Sequence, residues 1–168
     1  DSADKVIEAR GMIVAPGFID LLGQSQGLVL SRPGLLSKAF QGVTTEFSGE
    51  GYSAAPRKKS GNASGPDWET FEEFFALLDQ NRVGLNVGYY VGATQVRQLI
   101  VGFDNRPPTQ DELESMKALV GTAVRQGAFG LSSSLMYPPG LYAATDELIA
   151  LARESGRLGG IYATHLRN

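Results

Sequence analysis

The chain has 168 residues, 42% hydrophobic and 20% charged, enough for one domain with a sizeable core. Its formal net charge of −3 gives no reason to expect nucleic acid or an anionic membrane as partner, and no apolar run approaches the roughly 20 residues that span a bilayer. Zero cysteines exclude disulfides and thiolate ligands, and with one histidine, His165, an all-histidine metal site or a Ser-His-Asp triad is nearly excluded.

The opening "DSADKVIEAR" lacks an initiator Met and reads as the interior of a longer chain. With no signal peptide visible in this segment, a cytoplasmic location is favoured. Residues 5–14, "KVIEARGMIV", alternate loosely around Gly11 and predict an extended strand or hairpin. "GFIDLLG" (17–23), bounded by Pro16 and Gly23, predicts a short buried parallel strand. "RPGLLSKAFQG" (32–42) predicts a short helix stopped by Gly42, and "VTTEFSG" (43–49) a second strand. Residues 50–67 carry Gly, Ser, Pro and Lys without periodicity and predict a surface loop.

"WETFEEFFALLDQN" (68–81) sets Phe71, Phe74, Phe75 and Leu78 on one helical face. "GLNVGYYVG" (84–92) predicts a third strand, followed by a short segment around "TQVRQLIVG". "TQDELESMKALVGTAVRQG" (109–127) is the clearest helix: Thr109 can cap it, acids load its first turn and Gly127 can end it. "AFGLSSSL" (128–135) predicts a fourth strand, "TDELIALARESG" (145–156) a helix with the same cap-acid-apolar logic, and "GGIYATHL" (159–166) a fifth strand.

This alternation predicts an α/β fold with a parallel sheet, either doubly wound and open or part of a (β/α)8 barrel. Polar residues gather at the predicted C-terminal strand ends: Gln24, Ser48 with Glu50, Ser132 to Ser134, and His165. Both architectures place ligand sites there.

Four segments, "ARGMIVAPGFIDLLGQS" (9–25), "QGVTTEFSGEGYSAAP" (41–56), "GLSSSLMYPPGLYAATDELIALAR" (130–153) and "YATHLRN" (162–168), stand in an order and spacing that resembles the N-acyl-D-amino-acid deacylase (D-aminoacylase) branch of the metal-dependent amidohydrolases. The resemblance implies that residues 15–168 form the first five or so βα units of a (β/α)8 TIM barrel, incomplete in this chain. Residues 1–14 would be a strand or linker from a small β-sandwich. It also implies that later strands, bearing another metal-binding histidine and the catalytic aspartate, have no counterpart here, so the chain is expected to be a fragment without a catalytic general base.

In such enzymes a divalent ion acidifies water and polarises the amide carbonyl. His165 falls on the metal-binding histidine of the family's "THxR" motif; taken alone, it reads as a hydrogen-bonded structural residue. Glu50, in "SGEG", lies nearest the family's ligating cysteine, where a carboxylate can serve as a zinc donor; its other reading is a solvated loop glutamate. Where many relatives carry His-x-His, Leu22-Gly23-Gln24 stands, so one zinc ion is expected rather than two. Asp20 matches the family's "FID" aspartate, as a structural residue or one orienting the strand end. Tyr137 matches a tyrosine at the substrate pocket, or packs beside Pro138 and Pro139. Arg167 could pair with a substrate carboxylate or form an ordinary ion pair. Ala93 replaces a histidine common in the family. Ser132 to Ser134 lack a second histidine that could make any of them a nucleophile.

The expected activity is hydrolysis of the amide C–N bond of a small N-acyl amino acid by metal-activated water, with no nucleic acid or membrane partner. The fragment alone is expected to be inactive, and to self-associate or require complementary segments. The competing reading is a non-catalytic α/β binding module that has lost its metal ligands.

Overall fold

In a computed structural model, which describes residues 3–61 and 65–166, every strand pairing is parallel. Strands β1 (Phe18–Gly23), β2 (Val43–Ser48) and β3 (Asn86–Tyr89) form one sheet in chain order. Strands β4 (Val91–Gly92), β5 (Gly130–Ser134) and β6 (Ile161–His165) form a second, again in chain order. Tyr90 alone separates β3 from β4. Its N–H donates to the Ser48 carbonyl at 2.9 Å, and the Phe129 N–H donates to the Tyr89 carbonyl at 2.7 Å. The two sheets therefore run on into one another with no reversal of strand order.

The helices are α1 (Leu36–Ala39), α2 (Phe71–Asn81), α3 (Ala93–Ile100), α4 (Gln110–Arg125) and α5 (Thr145–Arg157). Helices α2 and α4 each begin with a capping box, Thr70 with Glu73 and Thr109 with Glu112, which satisfies two otherwise orphaned backbone donors at each start. Phe71, Phe74 and Leu78 bury one face of α2, where the Phe74 ring meets Tyr89 edge-on at 5.0 Å. The core joins this face to Val91 and Leu131 of the sheet and to Met116, Val120 and Leu151 of the helices. Among the described residues no helix is long and apolar enough to cross a membrane.

Several expectations change. Residues 5–14 form no strand: the Met12 N–H closes a turn onto the Ala9 carbonyl at 3.0 Å, and Val6, Ile7, Ile13 and Val14 are exposed. Extended backbone becomes a strand only when a partner takes its hydrogen bonds, and no described strand pairs with this segment. Strand β1 is where the sequence places it, but Phe18 is 69% and Leu22 53% exposed rather than buried, because little of the described chain packs over its side chains. The predicted helix over 32–42 shrinks to α1, since Leu35 adopts a left-handed φ of 43°. The predicted surface loop 50–67 begins inside the protein: Gly51, Ser53, Ala54 and Ala55 are buried, and the Trp68 indole donates to the Ala54 carbonyl at 2.7 Å. "TQVRQLIVG" lies largely in α3, and α5 is entered through Ala144 with no side-chain cap.

Candidate metal centre

Strand β2 ends at Ser48, and the chain turns through Gly49-Glu50-Gly51 at its C-terminal edge. Gly49 (φ 105°) and Gly51 (φ 68°) hold left-handed backbone that glycine adopts without strain. A Cβ on Gly49 would also lie 2.6 Å from the Tyr90 carbonyl oxygen, so the turn fits against the link between β3 and β4 only without a side chain there. This turn presents the Glu50 carboxylate to His165, the last residue of β6, and Glu50 Oε1 lies 2.9 Å from His165 Nδ1. The glutamate side chain is 17% exposed and the imidazole 47%.

A cavity of about 190 Å³ opens beside the pair, lined by Leu21, Leu22, Glu50, Tyr90, Ser132, Ala163 and Thr164. Both leucines reach it through a bulge: Asp20 and Gly23 pair with Glu46 and Ser48, setting two residues of β1 against Phe47 alone. The side of the cavity nearest β1 is therefore apolar. Gln24 is exposed, and Ala93 is buried at the start of α3.

Other polar groups at these strand ends are internally satisfied. Asp20 pairs with Lys38 of α1 and accepts from the Leu22 N–H at 3.1 Å; the lysine bond, then the backbone bond, holds its pKa below the usual carboxylate range. Glu46, 2% exposed, accepts from the Ser25 N–H (3.0 Å), the Ser25 hydroxyl (2.9 Å) and the Ser48 hydroxyl (2.8 Å), anchoring the chain as it leaves β1. Tyr137 is 61% exposed in the turn after β5. Arg167 lies outside the described residues.

An imidazole nitrogen and a carboxylate oxygen are both zinc donors, and two donors of a tetrahedral zinc stand about 3.3 Å apart when each bond is 2.0–2.1 Å. The observed 2.9 Å is a hydrogen-bonding distance that a small separation would convert to that spacing. The pair thus suits two corners of a zinc site. No cluster of three His, Cys, Asp or Glu groups able to hold a metal occurs among the described residues.

Known proteins share this arrangement of sequence and fold. The N-acyl-D-aspartate deacylase of Alcaligenes xylosoxydans xylosoxydans is 38% identical over 174 residues, spanning 97% of this chain and 35% of that protein. The D-aminoacylase of the same organism is 32% identical over 96% of this chain and 36% of its own length. The chain is homologous to a region of the N-acyl-D-amino-acid deacylases, an amidohydrolase branch. It spans about a third of the length of the curated relatives it matches.

Among solved structures, the N-acyl-D-glutamate deacylase of Bordetella bronchiseptica superposes with a TM-score of 0.87 at 35% identity, over 95% of this chain and 36% of that one. It was solved with zinc and a phosphonate inhibitor that mimics the tetrahedral intermediate of its reaction. A D-aminoacylase structure concerned with a binuclear metal centre, one-metal activation and second-metal attenuation matches with a TM-score of 0.82 at 31% identity, over 91% of this chain and 34% of that one. No family model matches the chain.

Two buried features had no local signal in the sequence. Arg97, fully buried, donates to Glu147 Oε2 at 2.5 Å and to the Asp104 and Arg106 carbonyls at 3.2 and 2.6 Å, tying α3 to the start of α5. Burial pushes the Glu147 pKa up, and Arg97 opposes that shift. Ser132 hydrogen-bonds both peptide groups flanking Glu50.

Proposed function

We propose that the chain forms the first five or so βα units of a (β/α)8 amidohydrolase barrel, entered through residues 1–14. The intact protein then hydrolyses the amide C–N bond of a small N-acyl-D-amino acid. The chain-order parallel strands support the barrel, because a doubly wound sheet reverses strand order at its switch point whereas a barrel does not. The observation that carries the function is the 2.9 Å approach of Glu50 to His165 at the C-terminal strand ends, in a chain homologous to deacylases.

In this reading Glu50 and His165 would hold one zinc ion, with water in its remaining positions in this chain and further protein donors there in the intact protein. Bound there, the ion supplies acidified water and a polarised carbonyl. Leu21 and Leu22 line one wall of the cavity with apolar side chains and offer no donor to a second ion. Tyr137, in the turn after β5, and Arg167 are assigned as substrate contacts, the arginine to the substrate carboxylate. No residue of the chain is assigned as general base, so the chain alone lacks turnover. Its exposed β1 face is covered by complementary segments of the same protein or by a second copy.

The test is metal analysis of the purified chain and its Glu50→Ala and His165→Ala variants, with a deacylase assay on N-acetyl-D-aspartate and N-acetyl-D-glutamate. Zinc should bind the parent, fall in both variants and support no turnover. Zinc content indifferent to both substitutions sinks the reading, and turnover by the chain alone removes the need for an outside base. The apolar wall at Leu21 and Leu22 favours a second reading, a binding module without catalysis. Zinc-independent binding of the same amides would establish it.

A further inference from the structure

We infer that Ser132 is a positioning residue that sets Glu50 for the metal pair, an inference that rests on the zinc reading above. Glu50 stands between two glycines, the residues that lose most conformational freedom on ordering. Left to itself, a Gly-Glu-Gly turn would hold its carboxylate poorly. The Ser132 hydroxyl removes that freedom from both sides at once, donating to the Gly49 carbonyl at 2.5 Å and accepting from the Gly51 N–H at 3.1 Å. Ser132 is 1% exposed, so the exchange takes place away from water, where an unmade bond costs most.

The location of the clamp gives it meaning. Ser132 sits on β5, opposite Gly92 of β4 and opposite Ala163 of β6, two residues before His165. The strand that fixes the Glu50 turn is therefore the strand that aligns the histidine. Gln95 adds a backbone tether, its N–H donating to the Gly51 carbonyl at 3.1 Å, but it touches only one flank. The neighbouring Ser133 is an internal control. It is also fully buried, yet its hydroxyl bonds the Tyr162 hydroxyl and Thr164 Oγ1, both at 2.7 Å, and makes no bond to the Glu50 turn.

The experiment is a Co²⁺ titration of the full 168-residue chain, read by visible absorption and by broadening of the His165 imidazole protons, which one histidine makes unambiguous. Losing a contact that orients a ligand costs about 10–100-fold in metal affinity. Ser132→Ala should show that loss, Ser133→Ala should not, and Ser132→Ala should add nothing once Glu50 is Ala. If Ser132→Ala does not fold, the comparison passes to Ser132→Thr and Ser132→Val, which share a shape and differ in the hydroxyl. Thr should bind like the parent and Val should not. Equal affinity in the Thr and Val chains, or equal losses in the two alanine chains, overturns the positioning role. A Glu50→Ala chain that binds as tightly as the parent, or a parent that binds no Co²⁺, instead overturns the zinc reading on which this inference stands.

Discussion

Glu50 Oε1 and His165 Nδ1 stand 2.9 Å apart although 115 residues separate them in the chain. The contact joins the turn after β2 to the end of β6 and gives the molecule its one pairing of a histidine with a carboxylate among the described residues.

If this pair holds the ion together, its members fail together. Glu50→Ala and His165→Ala should each weaken Zn²⁺ binding by more than the roughly 10–100-fold cost of losing a supporting contact. The double variant should be little worse than either single one. Isothermal titration calorimetry on the three chains decides; independent, additive losses would mean that the two side chains act separately, and no loss that they serve no ion.

Leu22 lines the cavity beside Glu50 and is 53% exposed, so replacing it removes little core packing. Leu22→His should bring a third donor to the pair and tighten Zn²⁺ binding at least tenfold. The same calorimetry measures it. An unchanged affinity would place residue 22 out of reach of the site.

Arg97 and Glu147 are both buried, and truncating one partner of such a pair leaves an unpaired buried charge. Arg97→Ala or Glu147→Ala should each destabilise the fold by about 3–5 kcal/mol. Arg97→Met combined with Glu147→Leu should cost less than either. Urea unfolding followed by circular dichroism gives the comparison, and single losses near zero would refute the buried-pair assignment.

Glu112 caps α4 and receives both terminal nitrogens of Arg106 at 2.7 Å; that bond, with the Thr109 N–H, lowers its pKa from 4.5 to about 2. A depressed carboxylate contributes its stability above its unfolded pKa and loses it as pH falls through the folded value. Stability should therefore decline between pH 4.5 and about 2, and Glu112→Gln should flatten part of that decline. Thermal melts across this window test the slope; an identical acid limb in the variant would show that Glu112 contributes nothing to it.

Local physics made α4 legible. Thr109 and Glu112 write its capping box, and Met116, Val120 and Ala123 mark its buried face at helical spacing. The acids Asp146 and Glu147 likewise mark the start of α5, yet Glu147 also pairs with Arg97, 50 residues away, and no window of local sequence carries that information. The exposure of β1 escapes the sequence for a related reason: "FIDLL" is apolar enough to be buried, but burial depends on what covers a strand, not on its composition. Glu50 and His165 stand out by their motifs, but their approach to one another does not. Ser132, in sequence only a serine without a second histidine to activate it, bonds the Glu50 turn across 81 and 83 residues, contacts that only the folded chain reveals.

The separation of Glu50 from His165 also bears on how the molecule assembles. In the sheet order β3, β4 and β5 lie between β2, which leads into Glu50, and β6, which ends in His165, so the pair meets once those strands have docked. Contacts this distant in sequence form late and slow the search, because loop closure must be completed before they contribute. An ion bridging the two residues would close a loop comparable to that of a long-range covalent cross-link, whose effect on the unfolded chain is on the order of 5 kcal/mol. Glu50 and His165 are thus placed to act as a late-forming latch between the turn after β2 and the end of β6.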